Sequence, residues 1–147
     1  MAEFAFNPVQ LVEPNQNIIL DTVIPCNKGY VFHRDQSGIV ILRGITNNCF
    51  ARYQVTFNGN IALPEDATVV VPISVALAID GEPVQTSRAI VTPAAVEEYF
   101  NVTSTAIITV PRGCCFTVAV ENSSAVVDGT APEINVQNAN LTVSRIA

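Results

Sequence analysis

The sequence predicts an all-β fold, in the form of a jelly-roll β-sandwich of about eight to ten strands. Within residues 51–57 the odd positions are apolar and the even positions polar, which is the two-residue period of a strand with one buried face. Residues 68–79 are nearly all apolar, which predicts a strand buried on both faces. Glycine, proline, asparagine and aspartate recur between such segments at the short intervals that are typical of sandwiches.

The other strand-like segments are short, and turn signals separate them. Asp80-Gly81 lies between two such segments and predicts a hairpin. Pro72, inside the apolar run, requires a bulge, an edge or the start of a strand, because proline cannot donate a ladder hydrogen bond. The best helical candidate, residues 93–100, is long enough for one or two turns at most. The further predicted strands are residues 18–24, 30–32, 39–42, 84–90, 105–110, 116–120 and 141–146.

The first residues differ from the rest of the chain. Phe4 and Phe6 lie among proline, asparagine and glutamine without a sustained period. The sequence therefore predicts an extended N-terminal arm over residues 1–17 and a jelly-roll domain over residues 18–147. Such an arm either lies along its own sheet or reaches into a neighbouring chain.

The surface has too few charges for its area. Only 14% of the 147 residues are charged, where soluble domains carry roughly 25%. Part of the surface is therefore expected to face another protein copy instead of water. The alternative is a monomer whose surface is coated with uncharged polar side chains.

Charge and hydropathy also exclude several partners. The seven Lys and Arg residues form no cluster and the net charge is −6, which argues against binding to nucleic acid or to an anionic membrane. No stretch reaches the roughly 18 apolar residues that span a bilayer. The first ten residues have neither a basic stretch nor a continuous apolar segment, so we expect no secretory signal and synthesis in the cytoplasm.

The residues that usually carry chemistry are sparse. The cysteines Cys26, Cys49, Cys114 and Cys115 show no zinc-ligand spacing, and we expect them to be buried free thiols. The alternative is late oxidation, in which Cys26 or Cys49 pairs with Cys114 or Cys115. His33 is the only histidine, and its neighbours predict a solvated turn. We therefore expect no catalytic, cofactor-binding or metal-binding residues, and no enzyme.

Five segments follow one another in a characteristic order, namely residues 38–44, 51–57, 73–81, 110–113 and 138–146. In the order of these segments the chain resembles the compact jelly rolls of the complement and tumour-necrosis-factor type. Such domains recur at the tips of bacterial collagen-like surface proteins and in tailed-phage structural proteins. The resemblance covers residues 18–147 and implies a homotrimer that buries an apolar and aromatic face of each subunit around a three-fold axis.

The resemblance and the low charge together favour a virion structural protein. We expect a trimeric capsid decoration protein, or a small fibre or tip protein, on the virion surface. Its partner would be the major capsid protein or another virion protein, contacted through the arm with Phe4 and Phe6. The alternative is a module that binds a host-surface receptor or glycan through loops at residues 58–60, at Gly81 and at residues 123–132.

Overall fold

The computed structural model describes residues 2–24, 29–34 and 36–147, with only the backbone of Ile24. These residues form twelve strands and one short 3₁₀ turn, Gln85–Ser87. The strands are β1 (Ala2–Phe6), β2 (Gln10–Val12), β3 (Thr22–Ile24), β4 (Val31–His33), β5 (Val40–Arg43), β6 (Phe50–Ala62), β7 (Ile73–Ile79), β8 (Glu82–Pro83), β9 (Ala89–Val91), β10 (Phe100–Pro111), β11 (Cys115–Asn122) and β12 (Ile134–Arg145).

The strands form two six-stranded sheets. Sheet A has the order β10-β6-β12-β1-β3, with β2 also paired to β12. Sheet B has the order β4-β5-β11-β7-β8, with β9 also paired to β7. Every strand pair is antiparallel, and most neighbours within a sheet are distant in sequence, as in a jelly roll. The predicted all-β sandwich is confirmed.

The core lies between the two sheets, where alternate residues of each strand point inward. In β6 the inward residues Tyr53, Val55 and Phe57 are fully buried, so the alternation in the sequence defines the inner face of the longest strand. Leu77 and Val120 of sheet B are equally buried and lie opposite each other on β7 and β11. Burying each such side chain contributes about 1.5–3 kcal/mol.

The first residues lie in sheet A and contribute to this core. Strand β1 pairs with β12 on one side, from Ala2↔Val143 to Phe6↔Ala139, and with β3 on the other. Phe4 is 1% exposed. Of the two options for the arm, the structure takes the first: the segment lies in its own sheet. Phe4 is therefore not available for docking on another protein.

Four local predictions differ from the structure. The predicted strand over residues 84–90 is instead the 3₁₀ turn Gln85–Ser87 followed by β9 from Ala89. Residues 58–60 do not break the strand, because β6 continues through them to Ala62. The apolar run forms a strand only from Ile73, after Pro72, while Val69 is 60% exposed. Residues 93–100 form no helix, and Glu97 takes a left-handed φ of 57° that a helix cannot contain.

Other predictions hold. The Asp80-Gly81 turn joins β7 to β8, with both residues at positive φ as a tight hairpin requires. Strand β7 is buried on both faces from Ile73 to Ala78, as its apolar composition predicted. Within the described residues, no helix is both long and apolar enough to cross a membrane.

Candidate assembly face and end cleft

The outward face of sheet A is almost free of charge. We call this surface face A. Its only charged side chains in the described strands are Glu3 and Arg52, near its margins. Face A consists of Glu3 on β1, Phe50, Arg52, Gln54, Thr56, Asn58 and Asn60 on β6, Asn101, Thr103, Thr105, Ile107 and Thr109 on β10, and Asn140, Thr142 and Ser144 on β12.

Side chains on face A are hydrogen-bonded to one another across the strands. The hydroxyls of Thr56 and Thr105 lie 3.0 Å apart, and Thr103 Oγ1 donates to Asn58 Oδ1 at 3.3 Å. Asn101 Nδ2 donates to an Asn60 oxygen at 3.2 Å. Polar groups that already have partners cost less to remove from water than free ones. These three pairs on β6 and β10 can therefore be covered by another protein at a lower desolvation cost than unpaired polar groups, whereas Asn140 Oδ1 on β12 has no partner among the described residues.

Strand β10 forms one edge of sheet A and lacks the usual protection of an edge. It is 12 residues long, pairs with β6 without a bulge, and has no paired strand on its other side among the described residues. It contains no charged residue, and Ile107 is 64% exposed. Natural edge strands are normally short, bulged or charged, because a bare edge pairs with other chains.

Face A differs from the interface that the resemblance implied. The expectation was an apolar and aromatic face, but the described face is mainly threonine and asparagine. Its one aromatic ring is Phe50 at the start of β6, with the Arg52 guanidinium 4.8 Å from the ring centroid. The shortage of charged residues in the chain is therefore located on face A, where uncharged polar side chains take the place of charged ones.

A cleft of about 630 Å³ opens at one end of the sandwich. Its lining includes apolar Leu63, Val69 and Val71 and four carboxylates, and no Lys, Arg or His among the described lining residues. The hairpin that joins Val127 to Thr130, with mutual backbone hydrogen bonds of 2.9 and 3.1 Å, forms one wall. The carboxylates belong to Glu13, Asp66, Asp128 and Glu133.

The predicted recognition loops do not meet at this cleft. Residues 123–132 contribute to it, but residues 58–60 are paired strand residues of β6 and not a loop, and the cleft lining begins only at Leu63. Gly81 lies just past the C-terminal end of β7, whereas the cleft residues Val69 and Val71 precede its N-terminal end at Ile73. Seven strand residues at about 3.3 Å each separate the two sites. A single surface that uses all three loops is therefore wrong. Glu13 and Leu63, which line the cleft, were not predicted.

The thiols and the histidine differ from their predicted environments. Cys49, Cys114 and Cys115 are exposed free cysteines, so the prediction of burial is wrong for these three. Cys26 lies outside the described residues. His33 is 8% exposed and stacks on Phe4, with ring centroids 5.1 Å apart, so it is not in a solvated turn.

The position of His33 explains its burial. It ends β4 with its side chain pointing into the sandwich, and its Nε2 donates to a main-chain oxygen, that of Ser37, at 2.8 Å. The described residues contain no group of three or more His, Cys, Asp or Glu side chains that converge on a metal ion.

Two buried titratable groups have shifted pKa values. Burial is the main cause that raises the pKa of Tyr53, whose hydroxyl donates to the Arg43 carbonyl oxygen at 2.6 Å. Burial, followed by the charge of Glu82, raises the pKa of Glu121 on the outward side of sheet B. Both shifts favour the neutral form of the group.

Comparison with known proteins supports the fold. No family model matches the chain. No curated protein matches it either. The solved structure of Eiger TNF from S. frugiperda has a TM-score of 0.68 and is 13% identical, covering 99% of this chain and 91% of that one. The globular domain of zebrafish complement 1qA has a TM-score of 0.60 at 11% identity, covering 96% and 94%. Rabbit GITRL has a TM-score of 0.52 at 13% identity, covering 100% and 95%.

These likenesses define the class of fold. The chain is a jelly roll of the complement and tumour-necrosis-factor type, and the resemblance found in the sequence is confirmed at this level. At identities of 11–13% the likeness concerns the fold and not the function.

Proposed function

We propose that this chain is a non-catalytic structural subunit that assembles into a homotrimer through face A and the β10 edge. We further propose that the trimer acts on the surface of a virus particle, as a capsid decoration protein or as a small fibre or tip protein. Both parts agree with the expectations from composition and resemblance. The contact through the arm with Phe4 and Phe6, which the sequence suggested, is not part of the proposal, because Phe4 is buried and Phe6 half-buried in sheet A.

The observation that carries the assembly is the bare β10 edge beside face A. An uncharged strand of 12 residues with Ile107 64% exposed would aggregate if it faced water alone. A second copy that covers it removes this hazard. The low charge of the chain, 14%, then reflects a surface that is covered in the assembled state.

A contact between copies at the β10 edge forms either a ring or an open chain. The β10 edge and the opposite margin of sheet A are different surfaces of one subunit, so a contact between them is heterologous. Heterologous contacts close into rings when the rotation between copies is a simple fraction of a turn. The complement and tumour-necrosis-factor resemblance favours three copies in the ring.

The assembly is tested by light scattering after size exclusion at micromolar concentration. We expect three times the chain mass of 15.7 kDa. Ile107→Arg places an unpaired charge on the contact and should give monomer. The matched control is Val126→Arg, which changes an aliphatic side chain 66% exposed in the β11–β12 loop and should leave the trimer intact. A wild-type monomer, or equal effects of the two changes, would contradict the proposed contact.

The location is tested on particles. Particles released from cells that make this chain should contain its peptides, and the purified protein should co-sediment with particles prepared without it. A symmetric trimer engages a symmetric site through three weak contacts, so Ile107→Arg monomer should bind far more weakly. If the trimer never co-sediments and the particles lack the chain, the virion role is excluded while the assembly stands.

A second candidate function is recognition of a host-surface receptor or glycan, and the end cleft favours it. The cleft has apolar walls and four carboxylates, so its chemistry suits a ligand that carries positive charge. Binding to whole host cells would separate this function from particle decoration. A double change, Asp66→Asn with Asp128→Asn, should weaken such binding and leave the trimer intact.

A further inference from the structure

Two exposed thiols converge on one end of the sandwich, and the proposed assembly uses neither. Cys49 immediately precedes β6 of sheet A, and Cys114 immediately precedes β11 of sheet B. Both are exposed free cysteines. We propose that Cys49 and Cys114 form an intrachain disulfide when the protein meets a small-molecule disulfide such as oxidised glutathione.

The direction of Cys49 follows from the ladder of sheet A. The Arg112 amide donates to the Cys49 carbonyl oxygen at 2.9 Å, which extends the β6–β10 pairing by one residue beyond Phe50. Ala51 and Tyr53, two and four residues later, are fully buried between the sheets. Side chains on a strand alternate, so Cys49 points toward the same space.

The direction of Cys114 follows in the same way from sheet B. The Gly44 amide donates to the Cys114 carbonyl oxygen at 2.8 Å, which extends the β5–β11 pairing by one residue. Phe116 packs against the core and Val118 is fully buried. Cys114 shares their parity and therefore points toward the space between the sheets from the side opposite to Cys49.

The two sheets come close together at this end. The turn from Pro111 to Cys114, closed by a 3.0 Å hydrogen bond and with Gly113 at a φ of 80°, crosses from sheet A to sheet B. Such a turn holds the Cα atoms of Pro111 and Cys114 within about 7 Å of each other. Cys49 lies opposite Arg112, the second residue of the same turn, so both cysteines flank it. Gly44 packs directly on the turn, since a Cβ there would lie 2.1 Å from the Pro111 carbonyl oxygen.

Cys115 has the wrong direction for this bond. It pairs with Arg43 and has the parity of Thr117, whose hydroxyl donates to Asp80 Oδ1 at 3.0 Å on the outward side of sheet B. A bond between the adjacent residues Cys114 and Cys115 would strain the peptide between them. Because side chains alternate along β11, Cys114 and not Cys115 is the expected partner of Cys49.

The chemistry is two successive thiol–disulfide exchanges. The thiolate of one cysteine attacks oxidised glutathione, forming a mixed disulfide and releasing one reduced glutathione. The second cysteine thiolate attacks the protein sulfur of that mixed disulfide and releases the second. Two protein thiols are oxidised, one glutathione disulfide is reduced, and the two thiol protons pass to the two glutathione thiolates.

The proposal is tested by tryptic mapping without reduction after incubation with oxidised glutathione. Trypsin separates the cysteines, because Cys49 falls in peptide 44–52, Cys114 and Cys115 in peptide 113–145, and Cys26 in peptide 1–28. We expect peptide 44–52 linked to peptide 113–145, with protein that remains a single chain on a gel without reductant. The melting temperature should rise and fall back when reductant is added.

Two variants identify the partner. Cys115→Ser should keep the link between the two peptides, and Cys114→Ser should lose it. Both positions are exposed, and circular dichroism checks that each variant folds. A link retained in Cys114→Ser and lost in Cys115→Ser overturns the proposal. So does a link to peptide 1–28, or cysteines that carry only glutathione.

Discussion

The two sheets present matching inner faces and very different outer faces. On face A, threonine and asparagine side chains satisfy one another, as in the 3.0 Å contact of Thr56 with Thr105. The outward side of sheet B carries the exposed Arg43 and an exposed aromatic ring, Phe32, while Glu121 on the same side is only 5% exposed. Arg43 lies over Phe32 at 5.8 Å from the ring centroid. Both sheets follow the same alternation of inward and outward residues. The types of outward residue decide which sheet another protein can cover.

The largest expected effect concerns the inner faces, which the sheets share. Phe4 of sheet A stacks on His33 of sheet B, so Phe4→Ala leaves a cavity between the sheets and should lower the free energy of unfolding by about 3–5 kcal/mol. Urea denaturation measures this. The control Val9→Ala, at a side chain 49% exposed, should change it by less than about 0.5 kcal/mol. A small effect of Phe4→Ala would mean that β1 is separable after all.

The second prediction compares one threonine on each outer face. Thr56→Lys puts an ammonium group on face A and should weaken trimer association by roughly a hundredfold or more, since each 1.4 kcal/mol changes the dissociation constant about tenfold. Thr117→Lys, on sheet B, places the same charge beside Asp80 and should leave the trimer intact. Analytical ultracentrifugation across a concentration series distinguishes them. Equal trimer association of the two variants would contradict the proposal that the trimer forms through face A and not through sheet B.

The third prediction concerns a hydrogen bond between the sheets. Tyr53→Phe removes the donor to the Arg43 carbonyl oxygen and should cost about 1 kcal/mol of stability.

The same bond should depend on alkaline pH. Because burial raises the pKa of Tyr53 above 10.0, the wild type should lose stability as the pH rises beyond that value, and the variant should lose less. Thermal unfolding between neutral and alkaline pH measures both effects. Tyr99→Phe, at a half-buried ring, is the control, and an equal alkaline loss in Tyr53→Phe would contradict the assignment.

The smallest expected effect is at Glu121. Its raised pKa means that the folded state holds a proton more tightly than the unfolded chain, so stability falls as the pH rises above the ordinary value of 4.5. Glu121→Gln should therefore be more stable than wild type at neutral pH, by less than about 1 kcal/mol, and the difference should vanish at acidic pH. The exposed Glu65→Gln is the control. A Glu121→Gln variant that is less stable than wild type at neutral pH would contradict this prediction.

Local patterns made the fold predictable. Alternation in residues 51–57, the two-sided burial of β7 and the Asp80-Gly81 turn all depend on neighbours within a few positions. Gly59 misled the prediction because a glycine between asparagines indicates a turn. In the structure, Gly59 is on the inner side of β6, and a Cβ there would lie 2.8 Å from the Phe57 ring. The glycine makes room for an aromatic ring and does not end the strand.

The long-range features were not predictable in the same way. Strand β1 has no clear period over five residues, and its partner β12 is more than 130 positions away. The cleft joins Glu13, Leu63 and Asp128 from three distant segments, of which only the last was identified as a loop. The low overall charge predicted a covered surface, but composition alone could not indicate which face carries it.

The place of β12 in the middle of sheet A has a consequence for biosynthesis. Strands β6, β1 and β2 all pair with it, so none of them has its full set of main-chain partners until residues 134–145 have left the ribosome. Folding of sheet A should therefore wait for β12 and proceed at the slow rates of milliseconds to seconds that non-local β-sheets show. Until then β6 and β1 lack β12 between them, and ribosome-bound chains halted before residue 134 should be sensitive to protease.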